Sequence, residues 1–194
     1  MNINRIQEQI LISGKIGDGN YKKNGSNYYY RENHSKRELE YLTWKYNHLK
    51  ELSTPRGIIH EKPKGFSKDG VYSFSTITNS IFNKYANMTI EECIKQLNDL
   101  GLILFLLDDG WVATGQYIRN WKFFISGGSL NINQLELICK QFEIFDIYNC
   151  HIIGNKRKDI SIPKENNKKL FQYVKKYIPT NINIIQKKFR YILS

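Results

Sequence analysis

The chain has 194 residues, 41% hydrophobic and 13% aromatic, which excludes a disordered protein and allows a substantial core. Lys and Arg total 29 against 18 acidic residues, and the formal charge of +11 favours a polyanionic partner, most often nucleic acid. No stretch approaches the roughly 20 apolar residues of a membrane-spanning helix, and the polar residues 1–9 lack the apolar run of a signal peptide.

The first half of the sequence predicts a helix, a hairpin, a second helix, two strands and a third helix. An apolar run over residues 10–17 ends in Asp18-Gly19, which indicates a helix whose last turn carries an aspartate before a glycine suited to the left-handed cap position. The elements that follow are a tyrosine-rich hairpin over 20–33, a helix over 36–52 capped by Ser35, strands over 57–62 and 70–78, and a helix over 79–85.

The second half repeats this order. An apolar run over 102–107 ends in Asp108-Asp109-Gly110. The elements that follow are a strand–turn–strand unit over 111–126, a glycine turn at 127–128, a helix over 131–142, strands over 148–153 and 159–162, and a helix over 166–177 that Pro179 stops.

The offset between the halves stays nearly constant along the chain. Asp18 and Asp109 lie 91 positions apart, and Asp69 and Asp159 lie 90 apart. We therefore expect an α+β fold of two pseudo-symmetric αββαββα-like halves, residues 1–88 and 89–194, within one compact monomer. Each antiparallel sheet covers helices on one face and leaves the other face exposed.

The two helix ends predict a pair of carboxylates. The negative end of a helix macrodipole repels a carboxylate, so each position is unfavourable in isolation. Side-by-side helices bring Asp18 and Asp109 together, and a divalent cation is the natural compensation. The alternative is that both are only helix C-caps in a duplicated bundle. The matched repeats and the basic charge favour the metal interpretation, which is an arrangement for phosphodiester cleavage.

The endings Gly17-Asp18-Gly19 and Asp108-Asp109-Gly110 resemble those of LAGLIDADG homing endonucleases of the two-motif, single-chain type. The resemblance covers nearly the whole chain. It implies a monomer whose motif helices form the central interface and whose sheets form a saddle over DNA. It also implies a site-specific, intron-homing endonuclease that makes a double-strand break with Mg²⁺, for which Mn²⁺ can substitute. The metal group it implies is Asp18 and Asp109, with Gly17 and Asp108 beside them and Asp108 interpreted as tuning the site.

The family also places a basic residue near each active centre. The candidates here are Lys84 in the first half and Lys187, or its neighbour Lys188, in the second, and for each a solvated surface lysine is the alternative. Lys15 stands in the first motif where the family usually has an apolar residue. We interpret Lys15 as reaching solvent at the edge of the helix interface. The alternative is that it disturbs packing or supplies charge near DNA.

DNA sequence readout is expected on the exposed faces of the two sheets, because alternate hairpin residues can point into the major groove. The candidates are Lys22, Tyr28, Tyr30, Arg31, Lys62, Lys64 and Lys68 in the first half, and Gln116, Arg119, Lys122, Lys156, Arg157 and Lys158 in the second. The last three lie in a strand connection, which is typical of phosphate contact. One or two of the tyrosines at 28–30 must pack against the core instead.

The cysteines and histidines show no metal-binding pattern. Cys93, Cys139 and Cys150 are odd in number and without CxxC spacing, which favours reduced thiols over a disulfide framework or a zinc site. We therefore expect a reducing intracellular compartment: a bacterial or phage-infected cytoplasm, or an organelle. The histidines also lack metal-ligand spacing, so most are interpreted as ordinary surface or strand residues; they are His34, His48, His60 and His151.

Double-stranded DNA is thus the expected partner, with no membrane. The rival interpretation is a non-cleaving nucleic-acid-binding protein on the same fold, either an intron RNA maturase or a DNA-binding regulator. Retention of both Asp18 and Asp109 favours cleavage, because a pure binder does not need paired acids. A more distant alternative is a generic basic α+β binding domain.

Overall fold

The computed structural model describes residues 2–62, 70–113, 121–155 and 158–193. The helices are α1 (Arg5–Ile16), α2 (Leu39–Leu49), α3 (Asn83–Asn87), α4 (Ile90–Gln96), α5 (Asp99–Asp109), α6 (Ile132–Ile144), α7 (Asn167–Tyr177), α8 (Asn183–Lys188) and α9 (Arg190–Leu193). The strands are β1 (Gly19–Asn24), β2 (Asn27–His34), β3 (Ile59–Glu61), β4 (Val71–Ser75), β5 (Gly110–Ala113), β6 (Lys122–Ser126), β7 (His151–Ile153) and β8 (Asp159–Ile162).

The two sheets have the same topology. Each is four-stranded and antiparallel, in the order β1-β2-β4-β3 in the first half and β5-β6-β8-β7 in the second. Gly19 pairs with Glu32 in the first sheet, and Gly110 pairs with Ile125 in the second. The predicted α+β class with two pseudo-symmetric halves is therefore confirmed, and the register assigns residues 19–22 of β1 and 29–32 of β2 counterparts in β5 and β6. The boundary between residues 88 and 89 stays a prediction.

Helices α1 and α5 pack directly on each other at the centre of the molecule. Asn4 begins α1 by a capping box with Gln7, and Asn98 caps the first turn of α5. Residues 99–107 of α5 are all buried, as expected for a helix that is apolar around its whole circumference and therefore lies in the core. Gln9 ties the helices further, since its side-chain oxygen accepts from the Asn98 N–H at 2.9 Å.

A glycine follows each motif acid because a larger side chain would overlap neighbouring atoms there. The expectation that these residues cap their helices in the left-handed conformation is wrong: Gly110 has a φ of −82°, and Gly19 is not among the glycines with positive φ. In the second half the chain runs directly from α5 into β5, and in the first half the turn residues Gly17 and Asp18 separate α1 from β1. A Cβ on Gly110 would overlap the Leu106 carbonyl, and one on Gly19 would overlap the Tyr30 ring. Close approach therefore requires glycine at both positions.

Several short helices are absent from the sequence prediction. Helix α4 begins at a Thr89–Glu92 capping box, and α8 and α9 follow Pro179, where the prediction ended. Each is too short to produce a clear apolar period in the sequence. The predicted helix over 79–85 is a 3₁₀ turn over Ser80–Phe82 that leads into α3.

The cysteines are free thiols, as predicted. Cys93 and Cys139 are buried and Cys150 is half-buried. Across the ranges that the structure describes, none of the helices combines the length and apolar content needed to cross a membrane.

Candidate active site and nucleic-acid interface

The C-terminal ends of α1 and α5 bring acidic residues of both halves together. A Cβ added to Gly17 would lie 3.0 Å from Asp109 Oδ2 and 3.2 Å from Asp108 Cβ. At these helix ends, Asp18, His34 and Asp108 each offer one potential ligand atom, and these three atoms lie within 4.8 Å of one another. The two motif ends thus meet as the repeat predicted.

Asp18 and Asp109 form the part of this cluster that is suited to a cation. The side chain of Asp18 is 41% exposed, and Asp109 is half-buried. Burial raises the pKa of Asp109 to about 7, and the nearby charges of Asp108 and Asp18 act in the same direction. Hard carboxylate oxygens with an excess of negative charge fit a divalent cation such as Mg²⁺, Mn²⁺ or Ca²⁺. The site chemistry therefore agrees with the metal group that the resemblance implies.

Asp108 is held by a buried lysine. Its side chain is fully buried, and both of its carboxylate oxygens accept hydrogen bonds from Lys45 Nζ, at 2.8 and 2.9 Å. A carboxylate held by a buried ammonium is less accessible to a metal than that of Asp18 or Asp109. This geometry fits the interpretation that Asp108 tunes the site, and its assignment to the metal group stays a prediction. The assignment of Gly17, which lies against Asp109, stays a prediction.

A buried network of charges supports this side of the cluster. Lys45 contacts Glu32 as well as Asp108, and Glu32 also accepts from Tyr30 and, at 2.7 Å, from His34 Nε2. Although burial raises the pKa of Glu32, the charge of Lys45 and the His34 hydrogen bond lower it to about 2. Two cations therefore balance two carboxylates inside the core, and the network spans both halves.

His34 is a buried cation beside Asp18. Its Nδ1 lies 3.8 Å from Asp18 Oδ2 and 3.5 Å from Glu38 Oε2. Burial acts to lower the pKa of His34, but the hydrogen bonds to Glu32 and Glu38 raise it to about 10. A doubly protonated ring is a donor at both nitrogens, so His34 places a positive charge beside Asp18 and does not ligate a metal in this state. His34 is a strand residue, but its place in the buried charge network distinguishes it from the ordinary histidines that the sequence predicted for most of the four positions.

We expect His34→Gln to reduce stability at low pH far more than at high pH. The folded-state pKa of His34 is about 10 and the unfolded value about 6.5, so the contribution of the charged ring is complete below pH 6.5 and is lost as pH rises through 10. The free energy of unfolding, measured by urea denaturation in EDTA, should differ between native and variant by about 2 kcal/mol at pH 6 and approach equality above pH 10. A difference that does not change with pH would contradict the charged state.

Lys188 is the lysine that reaches the end of the second motif helix. It is buried and donates to the carbonyls of Leu107 at 2.5 Å, Gly110 at 2.6 Å and Leu106 at 3.3 Å. It thereby satisfies carbonyls at the negative end of α5, beside Asp109. Burial lowers its pKa to about 8. The choice of Lys187 for this role is therefore corrected to Lys188.

Lys84 does not lie at the acidic cluster. Its ammonium pairs with Glu8 Oε1 at 3.2 Å. Glu8 lies in the first turn of α1, ten residues before Asp18, which corresponds to about 15 Å along the helix. The assignment of Lys84 to an active centre is therefore wrong, and Lys84 is an exposed surface lysine of the kind named as the alternative.

Lys15 caps a helix. Its ammonium donates to the carbonyls of Tyr85 at 3.0 Å and Ala86 at 2.6 Å, which lie in α3 near its C-terminus. A cation at this end satisfies carbonyls that lack intrahelical partners. Lys15 therefore fastens α3 to α1 and does not disturb the packing of the motif helices.

The exposed face of the first sheet carries polar and basic side chains. Burial alternates along β2, so that Tyr30, Glu32 and His34 point into the core while Arg31 and Asn33 point outward. Tyr30 is fully buried and Tyr28 packs against the core. The prediction that these two tyrosines contact DNA is therefore wrong. Arg31 pairs with Glu61 on the outer face.

The remaining candidate DNA-contacting residues fall into two groups. The exposed lysines are Lys22, Lys62, Lys122 and Lys158. The candidates outside the described residues are Lys64, Lys68, Gln116, Arg119, Lys156 and Arg157. Asn20, which pairs with Arg31, and Asn33 are outward-facing groups that the sequence analysis missed, because it did not assign which face of β1 and β2 is buried.

Known proteins share this fold. The solved structure of the homing endonuclease I-WcaI bound to its DNA recognition sequence matches with a TM-score of 0.77 at 20% identity, covering 97% of this chain and 88% of that one. The structure of I-DmoI in complex with DNA and Ca matches with a TM-score of 0.53 at 15% identity, covering 91% of each chain. The N-terminal LAGLIDADG domain of DUF199/WhiA matches with a TM-score of 0.51 at 15% identity, covering 92% of this chain and 85% of that one.

At these identities the structural matches show the fold. No curated protein sequence matches the chain significantly. At the level of sequence families, the LAGLIDADG DNA endonuclease family matches residues 9–104, a span from within α1 to within α5. With the paired motif helices and the repeated sheets, this match identifies the chain as a member of the LAGLIDADG DNA endonuclease family.

Proposed function

We propose that the protein is a site-specific endonuclease that cuts both strands of double-stranded DNA with Mg²⁺ or Mn²⁺. The observation that carries the proposal is that the ends of α1 and α5 bring Asp18 and Asp109, one acid from each half, into one acidic cluster, where burial first and the charges of Asp108 and Asp18 second raise the pKa of Asp109 to about 7. In the proposed monomer, the halves 1–88 and 89–194 each supply one acid. A break at one long site serves the mobility of the intron or gene that encodes the protein.

Each group at the site has a definite task in this proposal. Asp18 and Asp109 hold the divalent cation, which when bound supplies an activated water and stabilises the leaving oxygen. His34 places a positive charge 3.8 Å from Asp18 Oδ2, which favours the position of that carboxylate beside the cation. Lys188 holds the end of α5 in place and adds positive charge where a scissile phosphate would lie.

The outer faces of the two sheets are the proposed DNA-binding surface. They carry exposed lysines, and Arg31 stands among them with its guanidinium held by Glu61. The net charge of +11 supplies the attraction to phosphate that non-specific binding needs. Relatives of the same fold, I-WcaI and I-DmoI, are described in complexes with DNA, and that of I-DmoI also contains Ca.

We expect the native protein to bind a subset of a randomised duplex library and to cut it with Mg²⁺ but not with Ca²⁺. Ca²⁺ has the same preference for oxygen ligands but a looser and more variable geometry, so binding should be retained. The affinity should fall steeply as salt rises, since bound lysines release counterions from DNA. Sequencing of bound and cut duplexes measures both steps.

Two outcomes would contradict the proposal. Selective binding without any Mg²⁺-dependent cutting identifies the rival function, a non-cleaving DNA-binding regulator or an intron RNA maturase. Binding of no duplex above the level of a random competitor excludes a DNA substrate altogether.

A further inference from the structure

The residue pair that follows each motif acid differs in chemistry between the two sheets. In the first sheet Asn20 pairs with Arg31. The same register position in the second sheet holds Trp111 and Phe124. Two side chains typical of hydrogen-bonding recognition are therefore replaced by two large apolar ones, at equivalent places on equivalent strands.

Trp111 and Phe124 form a stacked pair on the outer face of the second sheet. Their ring centroids lie 4.5 Å apart with an interplanar angle of 17°. Trp111 is 43% exposed, whereas Phe123 and Ile125, on either side of Phe124, are fully buried on the opposite face. The pair therefore contributes little to the core, and an exposed apolar surface of this kind points to a contact with another molecule.

The surroundings of the pair are basic and lie close to the candidate catalytic acid. Trp111 is two residues beyond Asp109, about 7 Å along the strand. It lines a groove of about 300 Å³ together with Lys187 and Arg190, and Lys122 is exposed on the same strand as Phe124. Like charge disfavours a second copy of this surface as the occupant, whereas a polyanion complements it.

We propose that Trp111 and Phe124 recognise thymine through its C5-methyl group in the major groove. The methyl group is the one apolar feature that base edges present there, and aromatic side chains are suited to contact it. The half of the target site that faces the second sheet thus carries A·T pairs next to the scissile phosphate, while the first sheet reads its half by hydrogen bonds. This inference rests on the proposed function, because it requires the outer sheet faces to bind duplex DNA.

Replacement of thymine by deoxyuridine tests the inference, because it removes only the methyl group. A duplex selected by the native protein is resynthesised with each thymine replaced in turn, and affinity is measured in Ca²⁺. We expect one or two replacements to weaken binding about fourfold each, which corresponds to one buried methyl. In the double variant Trp111→Gln, Phe124→Gln, the same replacements should have no effect.

Matched variants separate recognition from folding. Ile144→Gln removes an exposed apolar side chain from α6, away from the outer sheet face, and should keep the discrimination between thymine and uracil. Trp111→Phe keeps an apolar ring and should also keep the discrimination between thymine and uracil. If the double variant does not fold, loss of discrimination in Trp111→Gln alone supports the same conclusion.

The outcomes distinguish this inference from the proposed function. Failure to select any duplex would contradict the proposed function, and the thymine readout that depends on it. Selective binding that tolerates uracil at every position, or discrimination that survives in the double variant, overturns the thymine readout alone. Concentration-dependent self-association that the double variant abolishes would assign the aromatic pair to an interface between copies, and would also overturn it.

Discussion

Replacing Asp109 by Asn is expected to slow double-strand cleavage about a thousandfold or more, while DNA affinity in Ca²⁺ stays within a few-fold of the native value. The substitution removes a ligand for the cation, whose stabilisation of the transition state is worth several kcal/mol. Asp18→Asn should have the same effect. Conversion of supercoiled plasmid carrying the selected site to linear DNA measures double-strand cleavage, and the nicked circles report cutting of one strand.

The same variant carries its own folding control. The pKa of Asp109 is raised to about 7 in the folded protein by burial and by its acidic neighbours, so its ionised form opposes folding once pH exceeds the unfolded value of 3.8. In EDTA at pH 8, Asp109→Asn should therefore be more stable than the native protein, by on the order of 2 kcal/mol. At pH 4 the two should be equal. Loss of cleavage in a protein that has become more stable cannot be attributed to misfolding, whereas a destabilised variant would contradict the electrostatic description.

The repeat made much of the fold predictable. The constant offset between the two aspartates and the strand pattern implied two similar halves, and β8 begins and ends at the predicted residues. The meeting of the acids followed from two apolar helices that pack directly on each other at the centre of the molecule. These features are encoded locally or by a periodicity along the chain, which a single sequence displays.

The supporting residues of the site were not predictable in the same way. Lys188 lies 78 residues after Gly110, and its contact with α5 depends on how α8 folds back across the molecule. His34 and Tyr30 depend on which face of β2 is buried, and a shift of one residue exchanges core and surface. Lys45 did give a signal, because it interrupts the buried stripe of Leu42 and Leu49 on α2.

In the second half, apolar residues occupy the positions that correspond to the buried charge network of the first half. Tyr30 and Glu32 correspond by register to Phe123 and Ile125, both fully buried. Along α6, Ile138 lies three residues after buried Leu135 and four before buried Phe142, the same spacing as Lys45 between Leu42 and Leu49. One fold thus holds a charged core on one side and an apolar core on the other, and hydrophobic replacement of a buried ion network is often neutral or stabilising.

Lys45→Met is accordingly expected to lower the free energy of unfolding by about 3–5 kcal/mol, because it leaves Glu32 and Asp108 buried with their cation removed. Combining Tyr30→Phe, Glu32→Ile, Lys45→Ile and Asp108→Ala should restore most of that stability, since no charge then remains at the four substituted positions and His34 keeps Glu38 and Asp18 as neighbours. Guanidinium denaturation measures both variants. Lys140→Met, at an exposed position of α6, should change stability by no more than about 0.5 kcal/mol.

The combined variant also decides the role of Asp108. If Asp108 serves only as the partner of Lys45, a stable protein without that carboxylate should still cut DNA with Mg²⁺, within about tenfold of the native rate. Because removal of Glu32 also changes the contacts of His34, loss of cleavage from a combined variant that folds and binds its site would assign Asp108 to the metal group where His34→Gln still cuts. A combined variant as unstable as Lys45→Met would instead show that the first half cannot adopt the apolar packing of the second, so that the charges are needed to specify its core.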